Sequence, residues 1–160
     1  MSRTYQNFKA GIAHRGTNHF DFVDAVFVSP TVSITDDSGT TLTADDSGTT
    51  FFLATGSGFT VTLPTPAAAG AGWRAEFIVT EVPDTAPGYV ISSSAGAQVL
   101  FGTVMDSAAG AVDTTTGTGK DVITFVNAEA GVGDRVSLLC DGTNFHIQGA
   151  VSAAAALTLA

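Results

Sequence analysis

The chain is poor in cysteine, with Cys140 the single one among its 160 residues. One cysteine excludes an intramolecular disulfide framework and a zinc cluster built from thiolates, because both need several. Cys140 ends the apolar run Val136-Ser137-Leu138-Leu139-Cys140, in which a buried thiol behaves as a small apolar side chain. We therefore expect no reactive thiol, and a chain compatible with synthesis in a reducing cytoplasm.

Charge is also scarce, and positive charge most of all. Charged residues make up 13% of the chain, and 6 Lys and Arg stand against 15 Asp and Glu, for a net charge of −9. Phosphate backbones and anionic membranes are bound by clustered basic residues. The composition therefore predicts neither a nucleic-acid partner nor a membrane partner for the body of the protein.

Long apolar runs are missing. The two longest, residues 22–28 and 149–156, are interrupted by Asp24 and Ser152 and are far shorter than the ~20 residues that span a membrane. Residues 1–10 are polar and lack the apolar centre of a secretory signal. We expect a soluble protein that is not exported by that route.

The sequence shows no constellation typical of catalysis. The three histidines, His14, His19 and His146, are not spaced as metal ligands with a carboxylate. The glycine-bearing segments 56–58 and 117–120 lack a phosphate-loop frame. Acidic residues fall in turns, whereas glycosidases need two that face each other across a cleft. The prediction is that the protein is not an enzyme and has no cofactor and no catalytic metal.

An Asp-rich hexapeptide occurs twice. Asp36-Asp37-Ser38-Gly39-Thr40-Thr41 recurs nine residues later as Asp45-Asp46-Ser47-Gly48-Thr49-Thr50. Calcium-binding nonapeptide β-rolls share this offset, but they need more copies and paired glycines. The four carboxylates still leave a calcium ion open as an alternative, because hard cations prefer oxygen ligands. Two Asp-rich turns are the favoured interpretation.

The sequence is rich in short β-type runs separated by Gly, Pro, Asp and Ser clusters, a pattern typical of an antiparallel sandwich or barrel. In Phe59-Thr60-Val61-Thr62-Leu63, alternation places the three apolar residues on one buried face. Turns at Asp37-Ser38-Gly39, Asp46-Ser47-Gly48 and Asp141-Gly142 supply glycines that accept positive φ. The candidate strands are residues 22–28, 32–34, 49–54, 59–63, 73–81, 89–92, 99–104, 122–127, 135–140, 145–149 and 156–159.

Two Ala-rich segments are ambiguous. Residues 67–72 are expected to form a loop, because their glycines disfavour a helix. Residues 153–156 suit either a helical turn or the approach to a final strand. We predict an all-β fold, an antiparallel β-sandwich or jelly-roll-like domain over residues 21–160, preceded by an extended arm.

That arm is residues 1–20, which carry three basic residues and no acid, while the remaining chain carries three basic residues against fifteen acidic ones. Its scattered aromatics show neither helical nor strand periodicity. We interpret it as an interaction segment; a frayed terminus is the alternative. Its candidate contact residues are Arg3, Tyr5, Phe8, Lys9, His14, Arg15, His19 and Phe20.

The order of several motifs resembles a known family. The motifs are Thr49-Thr50-Phe51-Phe52-Leu53, then Phe59-Thr60-Val61-Thr62-Leu63-Pro64-Thr65-Pro66, then the segment 70–79 with Gly72-Trp73-Arg74, and last the hairpin Gly133-Asp134-Arg135-Val136 through Asp141-Gly142-Thr143-Asn144-Phe145 to Gly149. Over about residues 42–159 the chain resembles the β-domain of tailed-bacteriophage structural proteins, in particular head decoration (cement) proteins. Phe145 stands where the family pattern often has Trp or Tyr.

The resemblance implies a homotrimer of β-sandwich or jelly-roll-like subunits on the outer surface of the virion capsid, made in the host cytoplasm. Its partners would be the major capsid protein, gripped through the arm, and two further copies of itself, and it would stabilise the shell without chemistry. Because similar domains occur in phage fibres, a tail fibre or spike component that binds a host-surface glycan is the alternative. Its stacking residues would be Trp73, Tyr89 and Phe145. A cellular carbohydrate-binding module is a third possibility.

Overall fold

The computed structural model describes residues 29–94, 98–107, 112–114 and 118–160, with the backbone alone for 112–114. The predicted arm and the candidate strand 22–28 lie outside this part of the chain. The described elements are β1 Thr31–Ile34, β2 Thr40–Thr41, a 3-10 helix Ala44–Asp46, β3 Thr49–Leu53, β4 Phe59–Thr62, α1 Pro66–Ala69, β5 Arg74–Val79, β6 Tyr89–Ser92, β7 Leu100–Asp106, β8 Val112–Thr114, β9 Val122–Phe125, β10 Arg135–Cys140, β11 Phe145–Val151 and β12 Leu157–Leu159.

The strands form two sheets. The seven-stranded sheet has the order β1-β3-β5-β10-β11-β7-β8, and the five-stranded sheet has the order β12-β9-β6-β4-β2. The prediction of a mostly β fold with little helix is confirmed. The expectation of antiparallel sheets is wrong, because both sheets also contain parallel pairs.

The parallel pairs arise from how the first half of the chain winds. From β1 to β6, each strand joins the sheet opposite to that of the strand before it, so β1, β3 and β5 become parallel neighbours, and so do β2, β4 and β6. The turn at Asp37-Ser38-Gly39 therefore links two sheets instead of closing a hairpin. A turn signal in the sequence marks a reversal but does not say which sheet receives the next strand. The Asp141-Gly142-Thr143-Asn144 turn does close an antiparallel hairpin between β10 and β11, as predicted.

The glycines in the predicted turns have the expected backbone. Gly39, Gly48 and Gly142 have φ values of 73°, 85° and 96°, a region that glycine adopts without steric cost. A Cβ on Gly39 would also lie 2.8 Å from the Thr60 carbonyl oxygen, so this crossing between the sheets has no space for a side chain.

The expected loop over residues 67–72 is partly wrong, because α1 begins at Pro66. The Thr65 hydroxyl accepts a hydrogen bond from the Ala68 N–H at 3.2 Å, and Pro66 occupies the first helical position, where its missing N–H costs nothing. Gly70, at φ 80°, ends the helix after one turn. Near the C-terminus, the Ala156 N–H donates to the Ala153 carbonyl at 3.0 Å, so a turn precedes strand β12.

One hydrophobic cluster draws buried side chains from both sheets. The Phe51 and Phe77 rings stack at 5.2 Å, and Trp73 meets Phe145 edge to face at 5.6 Å. The predicted burial of alternate residues in β4 is confirmed, as is that of Cys140, which is 1% exposed. This core fixes the inward face of each strand, and thereby decides which side chains face outward.

Candidate interaction surface

The face of the seven-stranded sheet that points away from the core carries three rows of side chains. Strand register aligns them, because residues paired across a sheet share a face and alternate residues of one strand return to it. The first row is Thr31, Thr50, Glu76, Ser137, Gln148 and Thr103; the second is Ser33, Phe52, Ile78, Arg135, Ala150 and Met105; the third is Arg74, Leu139, His146 and Phe101. We call this set the outward face.

The outward face has a charge sign opposite to that of the whole chain. Arg74 and Arg135 lie on it, and Glu76 is the one acidic residue in its rows. Neither arginine forms a salt bridge with any residue that the structure describes. In a chain of net charge −9, unpaired guanidinium groups on one sheet face form a distinct electrostatic patch, and such patches select partners of complementary charge.

The same face exposes large apolar side chains. Leu139 is 51% exposed and Met105 is 61% exposed, while Phe52, Ile78 and Phe101 are half-buried. Single exposed apolar residues need no explanation, but several together with arginine resemble the composition of protein–protein interfaces. The outward face therefore has both apolar area and charge with which to bind a protein surface.

A groove runs across the outward face where the side chains are small. It has a volume of about 590 Å³ and lies over β3, β5, β10 and β11. Thr50 and Ser137 form part of its lining, while Arg74, Leu139 and His146 supply larger side chains. Ser29, at the start of the described chain, also lines it, so the chain enters the seven-stranded sheet beside this groove.

The five-stranded sheet presents a different exterior. Its outward rows are Thr60, Val90, Thr124 and Thr158, and Thr41, Thr62, Ser92 and Val122. Its strands contain no charged residue. This hydroxyl-rich surface lacks the charges that would select a protein partner of complementary charge.

The β10–β11 hairpin places a charged pair at one end of the outward face. His146 Nε2 lies 2.9 Å from Asp141 Oδ2, and Asp141 Oδ1 accepts hydrogen bonds from the N–H groups of Thr143 and Asn144, each at 2.7 Å. The His146 hydrogen bond, followed by those of the two backbone N–H groups, lowers the pKa of Asp141 to about 2. His146 is exposed, because it alternates along β11 with the buried Phe145 and Ile147.

The four carboxylates of the repeated hexapeptide are separated by local turns. Asp36 accepts from the Ser38 hydroxyl and from the Ser38 N–H, which lowers its pKa, and Asp46 accepts from the Thr43 N–H at 2.7 Å. In the described part of the chain, no group of three or more His, Cys, Asp or Glu side chains is placed to hold a metal ion. The interpretation as two Asp-rich turns fits this geometry better than the calcium alternative.

No family model, curated protein or solved structure matches this chain. Among the described residues, no helix is long and apolar enough to cross a membrane.

The predicted site residues divide into two groups. The eight candidate contact residues of the arm lie outside the described residues. The glycan-stacking candidates Trp73, Tyr89 and Phe145 are buried; the Tyr89 hydroxyl donates to the Glu81 carbonyl at 2.7 Å and also contacts the Thr55 carbonyl, and burial raises its pKa.

The outward face was missed from the sequence. Its signal lies in two strands, because alternation in Arg74-Ala75-Glu76 and in Arg135-Val136-Ser137 puts each arginine opposite to a buried side chain. Strand register was needed to show that these arginines share one surface.

Proposed function

We propose that this protein is a structural virion protein, a decoration protein that binds the outer surface of a tailed-phage head as a homotrimer and stabilises the shell. The observation that carries the proposal is the position of the family-like motifs. Four of the strands that bear them, β3, β5, β10 and β11, are consecutive neighbours in the seven-stranded sheet and together form the centre of the outward face. In this proposal, the resemblance and the interaction surface come from the same residues.

The architecture in this proposal is a β-sandwich or jelly-roll-like domain. It is supported by the single hydrophobic cluster, to which both sheets contribute, because apolar sheet faces are most simply buried against each other. A body stabilised in this way would withstand attachment to a shell under internal pressure without needing a disulfide.

The arm is proposed to grip the major capsid protein. Its basic residues would contact acidic capsid surfaces, and its aromatics would supply apolar anchors. The residues assigned to this role are Arg3, Tyr5, Phe8, Lys9, His14, Arg15, His19 and Phe20. The acidic body would remain in solvent, where its negative charge disfavours non-specific association with nucleic acid.

A fibre or spike component that binds a glycan receives less support. Sugars are bound by exposed aromatic faces together with polar groups, and the three aromatic residues considered for this role are buried in the core. We therefore favour the decoration role, which involves neither catalysis nor a cofactor.

Co-sedimentation with phage heads tests the proposal. Heads assembled without this chain are mixed with the purified protein and with the triple variant Arg3→Ser, Lys9→Ser, Arg15→Ser, and bound protein is quantified after centrifugation. The native chain should saturate at a fixed number of sites, and the triple variant should bind at least about tenfold more weakly. A Lys120→Ser variant, which removes a cation from the body, is the control and should bind normally. Failure of the native chain to bind heads would refute the decoration role.

A further inference from the structure

We infer that the outward face is a subunit interface that receives an acidic edge of a second copy of this chain. The acidic edge is defined as the two turns that carry Asp36 and Asp37, and Asp45 and Asp46. This contact would hold together the homotrimer of the proposed function. It depends on the homotrimer alone and not on capsid binding, because it joins copies of the same chain.

The acidic edge lies along one side of both sheets. Strand β1 is an edge strand of the seven-stranded sheet and β2 an edge strand of the five-stranded sheet, and the turn with Asp36 and Asp37 joins them. The 3-10 helix with Asp45 and Asp46 follows β2 directly. Asp36, Asp37 and Asp45 are exposed, and none of the four carboxylates forms a salt bridge with a described residue. Asp36 and Asp37 are adjacent in the chain, as are Asp45 and Asp46, and like charges so close repel each other unless a cationic surface is brought against them.

The outward face supplies that cationic surface. It holds Arg74 and Arg135, which are two of only six Lys and Arg in the chain, and both are exposed and without an ion-pair partner in the described structure. Leu139 and Met105 lie on the same surface and would exclude water around the charges. Contact between the acidic edge and the outward face would pair the carboxylates of the edge with the arginines of the face. It would also remove exposed apolar area from water.

The dimensions of the face suit a subunit contact. Seven strands at about 4.8 Å spacing give a width of roughly 30 Å, and strands of six or seven residues are about 20 Å long. The resulting area of roughly 600 Å² is close to the ~800 Å² that each partner contributes to a standard interface. The exterior of the five-stranded sheet is smaller, and its strands carry no charged residue, so it offers no complement to the acidic edge.

The two patches also allow a closed ring. The edge and the face are different patches of one chain, so each subunit can receive the edge of one neighbour and place its own edge on the next. Head-to-tail contacts close into a ring when the rotation between subunits allows it, so a trimer would use three equivalent edge-to-face contacts.

Charge exchange between the two patches tests the inference. A face variant carries Arg74→Glu and Arg135→Glu, and an edge variant carries Asp37→Lys and Asp45→Lys; all four positions are exposed, so each variant should fold. Sedimentation equilibrium of the purified full-length chains gives the mass of each species. We expect a trimer for the native chain, and self-association weakened roughly 100-fold or more in either variant, because attraction becomes repulsion.

Mixing the variants gives the more specific result. The face variant retains its native edge and the edge variant retains its native face, so an equimolar mixture should form mixed oligomers that contain both variants and that neither variant forms alone. A chain with all four substitutions should recover the trimer. Glu129→Lys, an exposed charge reversal in another loop, is the matched control and should remain trimeric.

Several outcomes would overturn the inference. These are a native chain that is monomeric, variants that stay trimeric, or monomeric variants whose mixture gives no species that contains both. If the face variant stays trimeric but loses affinity for phage heads, the partner of the outward face is an acidic shell surface instead of a second copy. The sedimentation experiment uses the purified chain alone, so its result does not depend on whether the protein occurs in virions. Absence of the protein from virions would refute the decoration role but not the contact between copies.

Discussion

Two adjacent leucines of strand β10 provide the most direct check on which side of the seven-stranded sheet is buried. Leu138 is 2% exposed and belongs to the core, whereas Leu139 is 51% exposed and lies on the outward face. The same substitution, leucine to alanine, can be made at both positions of one strand, so differences in strand propensity cancel.

The expected magnitudes differ several-fold. Leu138→Ala removes three buried carbons at about 0.8 kcal/mol each and leaves a cavity, for a total loss of about 3 kcal/mol in the free energy of unfolding. Leu139→Ala removes carbons that are already half in water and leaves no cavity, so we expect a loss of about 1 kcal/mol or less. In a chain of this size, these losses correspond to decreases in Tm of roughly 6–12 °C and 2–4 °C.

Urea unfolding, followed by the fluorescence of Trp73, measures both values. The experiment is repeated at two protein concentrations, because dissociation of an oligomer adds a concentration-dependent contribution. For the dissociated monomer, equal losses at both positions, or a larger loss at Leu139, would refute the assignment of faces, since a one-residue slip in register would exchange the two leucines.

Three further predictions concern single residues. Gly102→Ala should lower the free energy of unfolding by about 3 kcal/mol or more, because the new Cβ would lie 1.9 Å from the Ile147 carbonyl oxygen. An unchanged Tm would contradict the close pairing of β7 and β11. Asp134→Ala should lower the free energy of unfolding, measured with urea, by about 3 kcal/mol. The reason is that this carboxylate is 3% exposed and accepts hydrogen bonds from two backbone N–H groups at 2.8 Å. A loss below about 0.5 kcal/mol, which is typical of a surface change, would refute this stabilising role. Because its hydrogen bond with His146 lowers the pKa of Asp141 to about 2, the charged carboxylate stabilises the fold above its unfolded pKa of about 3.9 and this contribution disappears as the pH falls toward 2. The Tm difference between native and Asp141→Asn proteins should therefore shrink as the pH falls below about 4 and disappear below pH 2, and a difference that stays the same across this range would contradict the pairing.

Local features of the fold could be predicted from the sequence. Alternation in Phe59-Thr60-Val61-Thr62-Leu63 identified a strand with one buried face, and Asp141-Gly142 identified a hairpin, because each signal arises within a few residues. The burial of Cys140, which is 1% exposed, followed from the apolar run that it ends.

Strand partners could not be predicted in this way. The turn at Gly39 has the positive φ that its sequence indicates, but it joins two sheets, and nothing within four residues distinguishes that crossing from a hairpin. The helical turn at Pro66 was not predicted, because the glycines at 70 and 72 disfavour a helix. The capping hydroxyl of Thr65 is nevertheless sufficient to stabilise one turn before them.

The candidate surface was hidden for a further reason. Arg74 and Arg135 are 61 residues apart in the sequence and share a face because β5 and β10 are paired with Ile78 opposite Arg135 and Leu139 opposite Arg74. In the composition, only the arm has more basic than acidic residues. The arginines of the acidic body can be assigned to one surface only when the strand register is known.

The central claim is that this chain decorates a phage head, and its copy number in purified virions tests this most directly. Quantitative mass spectrometry of intact particles gives the ratio of this chain to the major shell protein. The account predicts about one copy per shell subunit, or one trimer per three-fold position. A few to a few tens of copies per particle would indicate a fibre instead, and complete absence from the particle would contradict the virion role altogether.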